Sequence, residues 1–385
     1  QKAHVHCVIV GFRSHDGKDG LPTVHGAESN LNSNSCNRMK DGQETVPPRH
    51  RIFDGENVEF AENINAYLVN APDVFIESRS KALCDVPEIG IGNKPIDGGN
   101  YLFSEEEKNE FVKKEPASEK YFRKWYGADE YINGYCRYCL WLGDCSPVEL
   151  RKMPEAMKRV QAVREFRLAS KSAQTQKLAD TPTRFHVENM PETEYILIPL
   201  HSSENRKYVP IGFMPPNVLC SNAVQIIPNA TLYHFGILTS SVHMAWMRAV
   251  CGRLEMRYRY SKDIVYNNFP WPSVTSQTHD GKDGLPTVHD TKNYSDSDSC
   301  KSMKDGRETV PPSITRTAQA ILDARTKYPD CSLADLYDET TMPAELRRAH
   351  EANDRAVMKA YGFRADMTEG EIVAELFRMY EKLTS

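Results

Sequence analysis

Eleven residues, HDGKDGLPTVH, occur at His15–His25 and again at His279–His289, 264 positions apart. Extended without a gap, the alignment runs from His15–Pro48 onto His279–Pro312, with 23 of 34 residues identical and the divergence confined to the middle. Solenoid repeats are contiguous, so two copies this far apart cannot stack into a common core. A calcium loop requires oxygen ligands at alternate positions and a glutamate at the twelfth, whereas Ala27 stands twelfth from Asp16. The Asp, Gly, Ser, Asn and Pro content predicts exposed loops instead.

The second copy contains both DGLPTV (Asp283–Val288) and DGRETV (Asp305–Val310). One coding sequence for the first, GAC GGT CTC CCG ACC GTC, has a reverse complement that translates as the second. The first copy holds DGLPTV at Asp19–Val24 and DGQETV at Asp41–Val46. This pattern suggests a mobile inverted-repeat DNA element read through in frame twice, a hypothesis that fails if the nucleotide arms do not pair at third codon positions. A loop tolerates such an insertion, since each doubling of its length costs only about 0.6 kcal/mol. Residues 15–48 and 279–312 are therefore set aside as inserts.

The remaining chain is long enough for two or three domains of ordinary composition, 40% apolar and 26% charged. No apolar run approaches the length of a membrane span. The N-terminal QKAHVHCVIVGF lacks the marks of a signal peptide and reads as a strand entered mid-stride. Ten dispersed cysteines are not a disulfide framework, and a reducing cytoplasm is expected. Of the net charge of −5, each insert carries −2 and Ser313–Ser385 carries −3, leaving a body at +2. That balance permits nucleic-acid binding without demanding it.

VHCVIVGF (Val5–Phe12) has the continuous β-branched run of a strand buried on both faces. Asn65–Val69 reads as extended, and the glycine-rich stretch Gly90–Asn100 as a loop whose backbone can approach a partner closely. Tyr135–Leu142 reads as a strand, followed by a capping box at Ser146–Glu149 with Pro147 at the first helical position. The helical stretch to Asp180 carries eight Lys/Arg against four Asp/Glu, either a solvated or a phosphate-facing surface. Tyr195–Leu200, Tyr208–Phe213, Val224–Pro228 and Leu232–Phe235 suggest a meander of short strands. A helix should start near Ser241, and the last 70 residues should be helical, with one helix closing at Gly362 and another capped by Thr368.

Catalytic patterns are missing. There is no G-x-S-x-G and no H-E-x-x-H. Cys136, Cys139 and Cys145 lack the second ligand pair of a structural zinc site, so buried strand residues are the better reading. Recognition chemistry is better represented. In Glu255-x-Arg257-x-Arg259 an extended backbone puts the charged side chains on one side and Tyr258 and Tyr260 on the other. A glutamate can accept from cytosine N4 and an arginine can grip guanine, so the pair could read one C·G pair. A surface ion pair is the alternative.

With the inserts removed, the order of HCVIVGF, APDVFIESRSKAL, GNKPIDGGN, YCLWLGDCSP, HSSENRKYVPIGF, GRLEMRYRYSKDIVYNNFPWP and TAQAILDARTKYPDCSLADLYDETTMP resembles the C-terminal half of the MmeI-like (type IIL) restriction–modification enzymes. The resemblance implies a mixed α+β chain. Residues 1–14 with 49–79 would end an α/β methyltransferase sheet, 80–278 would be a target recognition domain, and 313–385 a helical subdomain. It implies that Glu255 and Arg257 read a C·G pair, that Asn222 with Glu204 reads another cytosine, and that Ala223 with Arg259 accepts a purine. Double-stranded DNA is the implied partner.

Such enzymes also carry an N-P-P-[YF] tetrapeptide, a glycine-rich S-adenosylmethionine loop and a nuclease. None of these motifs is present, so cofactor and catalysis are expected in an upstream portion, with no catalytic, cofactor or metal residue here. A stand-alone specificity subunit and a decayed, non-catalytic remnant are the alternatives.

Overall fold

The computed structural model describes residues 50–54, 57–272 and 313–385. Both inserts and the Val5–Phe12 strand lie outside the described residues, and of the segments expected to end a methyltransferase sheet only 50–54 and 57–79 are described. Strands β1 (His50–Asp54) and β2 (Asn57–Ala61) pair antiparallel from His50↔Ala61 to Asp54↔Asn57.

Asn65–Val69 is not a strand. The Asn65 side-chain oxygen accepts from the amides of Tyr67 and Val69 and its carbonyl from that of Leu68, which folds the segment into a turn with Leu68 at φ +61°. Asparagine competes with extended pairing through these local bonds. The chain then runs without regular elements to Glu88, docked onto residues 263–269 by bonds such as Arg79 Nε to Asn268 Oδ1 at 2.9 Å.

Four short strands and five helices follow: β3 (Gly90–Ile91), β4 (Leu102–Phe103), α1 (Glu105–Lys114), β5 (Phe122–Tyr126), α2 (Ala128–Asn133), β6 (Arg137–Leu140), α3 (Pro147–Leu150), α4 (Pro154–Leu168) and α5 (Ala173–Lys177). The expected strand at Tyr135–Leu142 and the Ser146 capping box are both present. The charged helical stretch is broken at Met153–Pro154, because proline cannot continue the preceding turn. Its arginines are not all solvated: Arg167 is fully buried and donates to five carbonyls, those of Pro95, Ile96, Leu178, Thr181 and Arg184. The α4 N-terminus is closed to phosphate, since Glu115 accepts from the amides of Glu155 and Ala156 at 2.7 and 3.0 Å.

The second half begins with β7 (Tyr195–Pro199), β8 (His201–Ser202), β9 (Gly212–Met214), β10 (Val218–Cys220) and β11 (Val224–Pro228). Leu232–Phe235, expected as a strand, instead opens helix α6 (Leu232–Leu238), with Thr231 as cap. Helix α7 (Ser241–Val250) starts where expected and leads directly into β12 (Gly252–Leu254) and β13 (Arg257–Arg259). The tail holds α8 (Ile314–Thr326), α9 (Leu333–Leu336), α10 (Ala344–Tyr361), closed by Gly362 at φ +71°, and α11 (Glu369–Thr384), capped by Thr368.

Three sheets organise this body: β10-β5-β6-β4, β3-β11-β7-β9 and β12-β13-β8. The YILIP strand is buried along its whole length because both faces are covered. Ile196 and Ile198 join the large core shared with the helices, while Tyr195 and Leu197 face a smaller cluster with Val224 and Ile226. The tail belongs to that large core. Trp246 of α7 packs against Phe377 and Tyr380 of α11, with ring centroids 5.5 and 6.1 Å apart. The mixed α+β architecture is as expected.

Candidate nucleic-acid interface

The sheet β12-β13-β8 carries the sequence-predicted site. Its hairpin pairs Gly252 with Arg259, Arg253 with Tyr258 and Leu254 with Arg257, leaving Glu255 and Met256 as a two-residue turn. Strand β8 flanks it, with Ser202 opposite Tyr258 and His201 opposite Arg259. Alternation sorts the side chains as expected for β13. Tyr258 and Tyr260 are buried, and Arg257 and Arg259 are exposed.

Glu255 departs from the expected arrangement. It lies in the turn rather than the strand and takes φ +56°, a left-handed conformation that glycine adopts more readily. Its carboxylate nevertheless reaches the Arg257 Nη2 at 2.8 Å, with the two side chains 77% and 49% exposed. An ion pair this open adds little to stability. Both groups retain most of their hydrogen-bonding capacity toward a ligand.

The inner face is anchored firmly. The Arg253 guanidinium stacks 4.0 Å from the Tyr258 ring centroid, and the Tyr260 hydroxyl lies 2.9 Å from His243 Nε2 on α7. Burial pushes the His243 imidazole down to about 3, so it is neutral at pH 7. Half-buried His201 is also lowered, by burial and then by the Arg259 and Arg257 charges.

Leu200 ties the other predicted positions to this sheet. Its amide donates to the Ala223 carbonyl at 3.0 Å, and its carbonyl accepts from the Tyr260 amide at 2.8 Å. The Asn222–Ala223 turn, with Asn222 exposed, is thereby held alongside the strand that carries Arg259. Glu204 sits in a turn beyond β8, where the Arg206 amide donates to the Ser203 carbonyl at 3.3 Å. No hydrogen bond joins Glu204 to Asn222 among the described residues.

Sequence reasoning missed what fixes the Asn222 turn. The Asn93 amide donates to the Cys220 carbonyl at 2.6 Å, and the Ser221 amide donates to the Tyr126 carbonyl at 2.8 Å. A Cβ on Gly92 would lie 2.2 Å from the Ser221 carbonyl oxygen. The glycine-rich loop does approach a backbone closely, but the backbone is the chain's own. The signal was in GIGN; its target, Ser221 in the second half of the recognition segment, was not legible.

Cys139 is buried and its thiol is pushed well up by burial. Among the described residues no group of three His, Cys, Asp or Glu side chains is disposed to hold a metal, and no helix is long and apolar enough to cross a membrane.

Residues 70–273, more than half the chain, match the MmeI target recognition domain. The chain belongs to the MmeI family. Residues 309–385 match the MmeI C-terminal domain. A solved structure of the type IIL restriction–modification enzyme MmeI in complex with DNA is similar at a TM-score of 0.72 and 43% identity, covering 85% of this chain and 40% of that one. DNA methyltransferase A of Bacillus subtilis (strain 168) is 33% identical over 333 residues, covering 86% of this chain and 34% of the relative. This MmeI-family chain therefore spans about a third of that relative's length.

Proposed function

We propose that this chain reads a specific base sequence in the major groove of double-stranded DNA, as the recognition portion of an adenine-N6 methyltransferase of the type IIL restriction–modification class. One observation carries the reading. Glu255 and Arg257 meet at 2.8 Å on the exposed end of a sheet whose other face buries Tyr258, so one acceptor and one donor are offered side by side. That is the pattern a C·G pair requires, cytosine N4 donating to the carboxylate and guanine O6 and N7 accepting from the guanidinium.

Asn222 with Glu204 and Ala223 with Arg259 are the further reading positions. Residues 80–278 act as the recognition domain, and 313–385 as the helical support for its hairpin. Methyl transfer, S-adenosylmethionine binding and any cleavage are functions of an upstream portion of the enzyme, working on DNA in the cytoplasm. A target adenine flipped out of the duplex is handled there.

The test is a charge swap. Glu255→Lys with Arg257→Asp reverses donor and acceptor, and the preferred pair should change from C·G to G·C, with each wrong pair costing about 1–3 kcal/mol. Equal binding of all duplexes by both proteins at fixed salt defeats the reading and leaves a non-reading remnant.

A further inference from the structure

Residues paired across an antiparallel ladder project from the same face. Arg253 and Tyr258 form one such pair and share the inner face, where the guanidinium covers the ring. The outer face therefore carries Leu254 beside Arg257 and Gly252 beside Arg259, with His201 of β8 opposite Arg259. Leu254 is the aliphatic side chain of this set and is 46% exposed. A Cβ added to Gly252 would meet nothing within 4 Å, so the space along the strand from Leu254 is open.

A single exposed leucine is ordinary on a protein surface. The register makes this one distinctive. It is locked opposite Arg257, one residue from Glu255, and no core contact requires an aliphatic group there. Cross-strand neighbours stand about 5 Å apart at Cβ, while successive base pairs rise about 3.4 Å. Side chains paired in the ladder thus reach the same or neighbouring base pairs.

We propose that Leu254 is a further specificity-determining residue, packing on the C5-methyl group of a thymine next to the C·G pair engaged by Glu255 and Arg257. The inference rests on the reading of the hairpin given above. Among the major-groove base edges the thymine methyl is the apolar feature. An aliphatic side chain beside a charged pair can read it without competing for hydrogen bonds.

The experiment selects bound sequences from a pool of random duplexes with the full chain, then replaces each thymine singly by uracil, which removes only the methyl group. One position beside the C·G pair should lose binding about fourfold, the worth of one buried methyl-sized group. With Leu254→Ala that position should lose its methyl dependence while the melting temperature holds, and Leu254→Met should retain it. The proposal is overturned by a selected site with no thymine beside the C·G pair, by no uracil effect, or by an effect that survives in Leu254→Ala. A pool with no enriched sequence overturns the hairpin reading itself, and an enriched site with no methyl effect overturns only this inference.

Discussion

The Tyr208 hydroxyl donates to the Asp354 carboxylate at 2.6 Å, joining the recognition segment to helix α10 of the tail. The same carboxylate accepts from the Ser241 amide at 2.7 Å, the first residue of α7. Because α7 runs into the hairpin, this carboxylate fixes the base of the element proposed to read DNA. Burial raises the Asp354 carboxyl above the usual carboxylate range, with the Tyr208 and Ser241 bonds opposing the shift.

Tyr208→Phe should therefore destabilise the fold by about 1–3 kcal/mol near neutral pH, the cost of leaving a buried acceptor short of a partner. The sign of its pH dependence follows from linkage. Asp354 binds its proton more tightly folded than unfolded, so its contribution weakens as pH rises through that window. Removing the tyrosine bond raises the folded value further. The penalty should be larger at pH 7 than near pH 4, as read by denaturant melts at both; a penalty independent of pH contradicts the assignment.

His243 and His350 act in the opposite sense. Both are buried, and burial holds His243 at about 3 and His350 well below the ordinary range. Their folded values lie below the unfolded ones, so the stability they contribute is present above about pH 6.5 and declines as pH falls. Each should add a slope of about 1.4 kcal/mol per pH unit below that point. His243→Gln should flatten the acid limb by one such slope. An unchanged slope would mean that the ring is protonated in the folded protein.

Glu255→Gly separates stability from reading. Glycine takes φ +56° without the clash that a Cβ brings, so thermal stability should rise by up to about 1–2 kcal/mol. Preference for C·G over G·C should disappear, because the acceptor has gone. Strain kept at a turn that presents a carboxylate proposed to read DNA is the expected compromise. A stabilised variant with full discrimination would assign the base contact elsewhere.

Deleting residues 279–312 should cost neither thermal stability nor DNA affinity. Both flanks are held by one helix: Trp271 packs on His234 of α6 with ring centroids 5.7 Å apart, and Ile314 packs over Gly236 of the same helix. Shortening the connection changes closure entropy by only about 0.6 kcal/mol per halving. A marked loss of either property would give the repeat a role of its own.

Much that the sequence determined was local. Ser146, Thr368 and Gly362 marked helix ends because each satisfies or terminates backbone groups within one turn. YILIP read as a strand, and RYRY set its tyrosines opposite its arginines, because side chains alternate whatever lies beyond them. Together with the resemblance to a known family, this was enough to nominate Glu204, Asn222, Ala223, Glu255, Arg257 and Arg259.

Local rules failed where a distant partner decided the outcome. Leu232–Phe235 reads as one more short strand of a meander, yet it opens a helix packed under α8 with Gly236 against Ile314. Arg167 could have faced phosphate, but five carbonyls from separate segments enclose it. Only the tertiary structure brought Ala223 and Tyr260 to either side of Leu200, and only the hairpin register set Leu254 opposite Arg257. Hydrogen bonds between residues far apart in sequence made those placements, and no periodicity within a single segment records them.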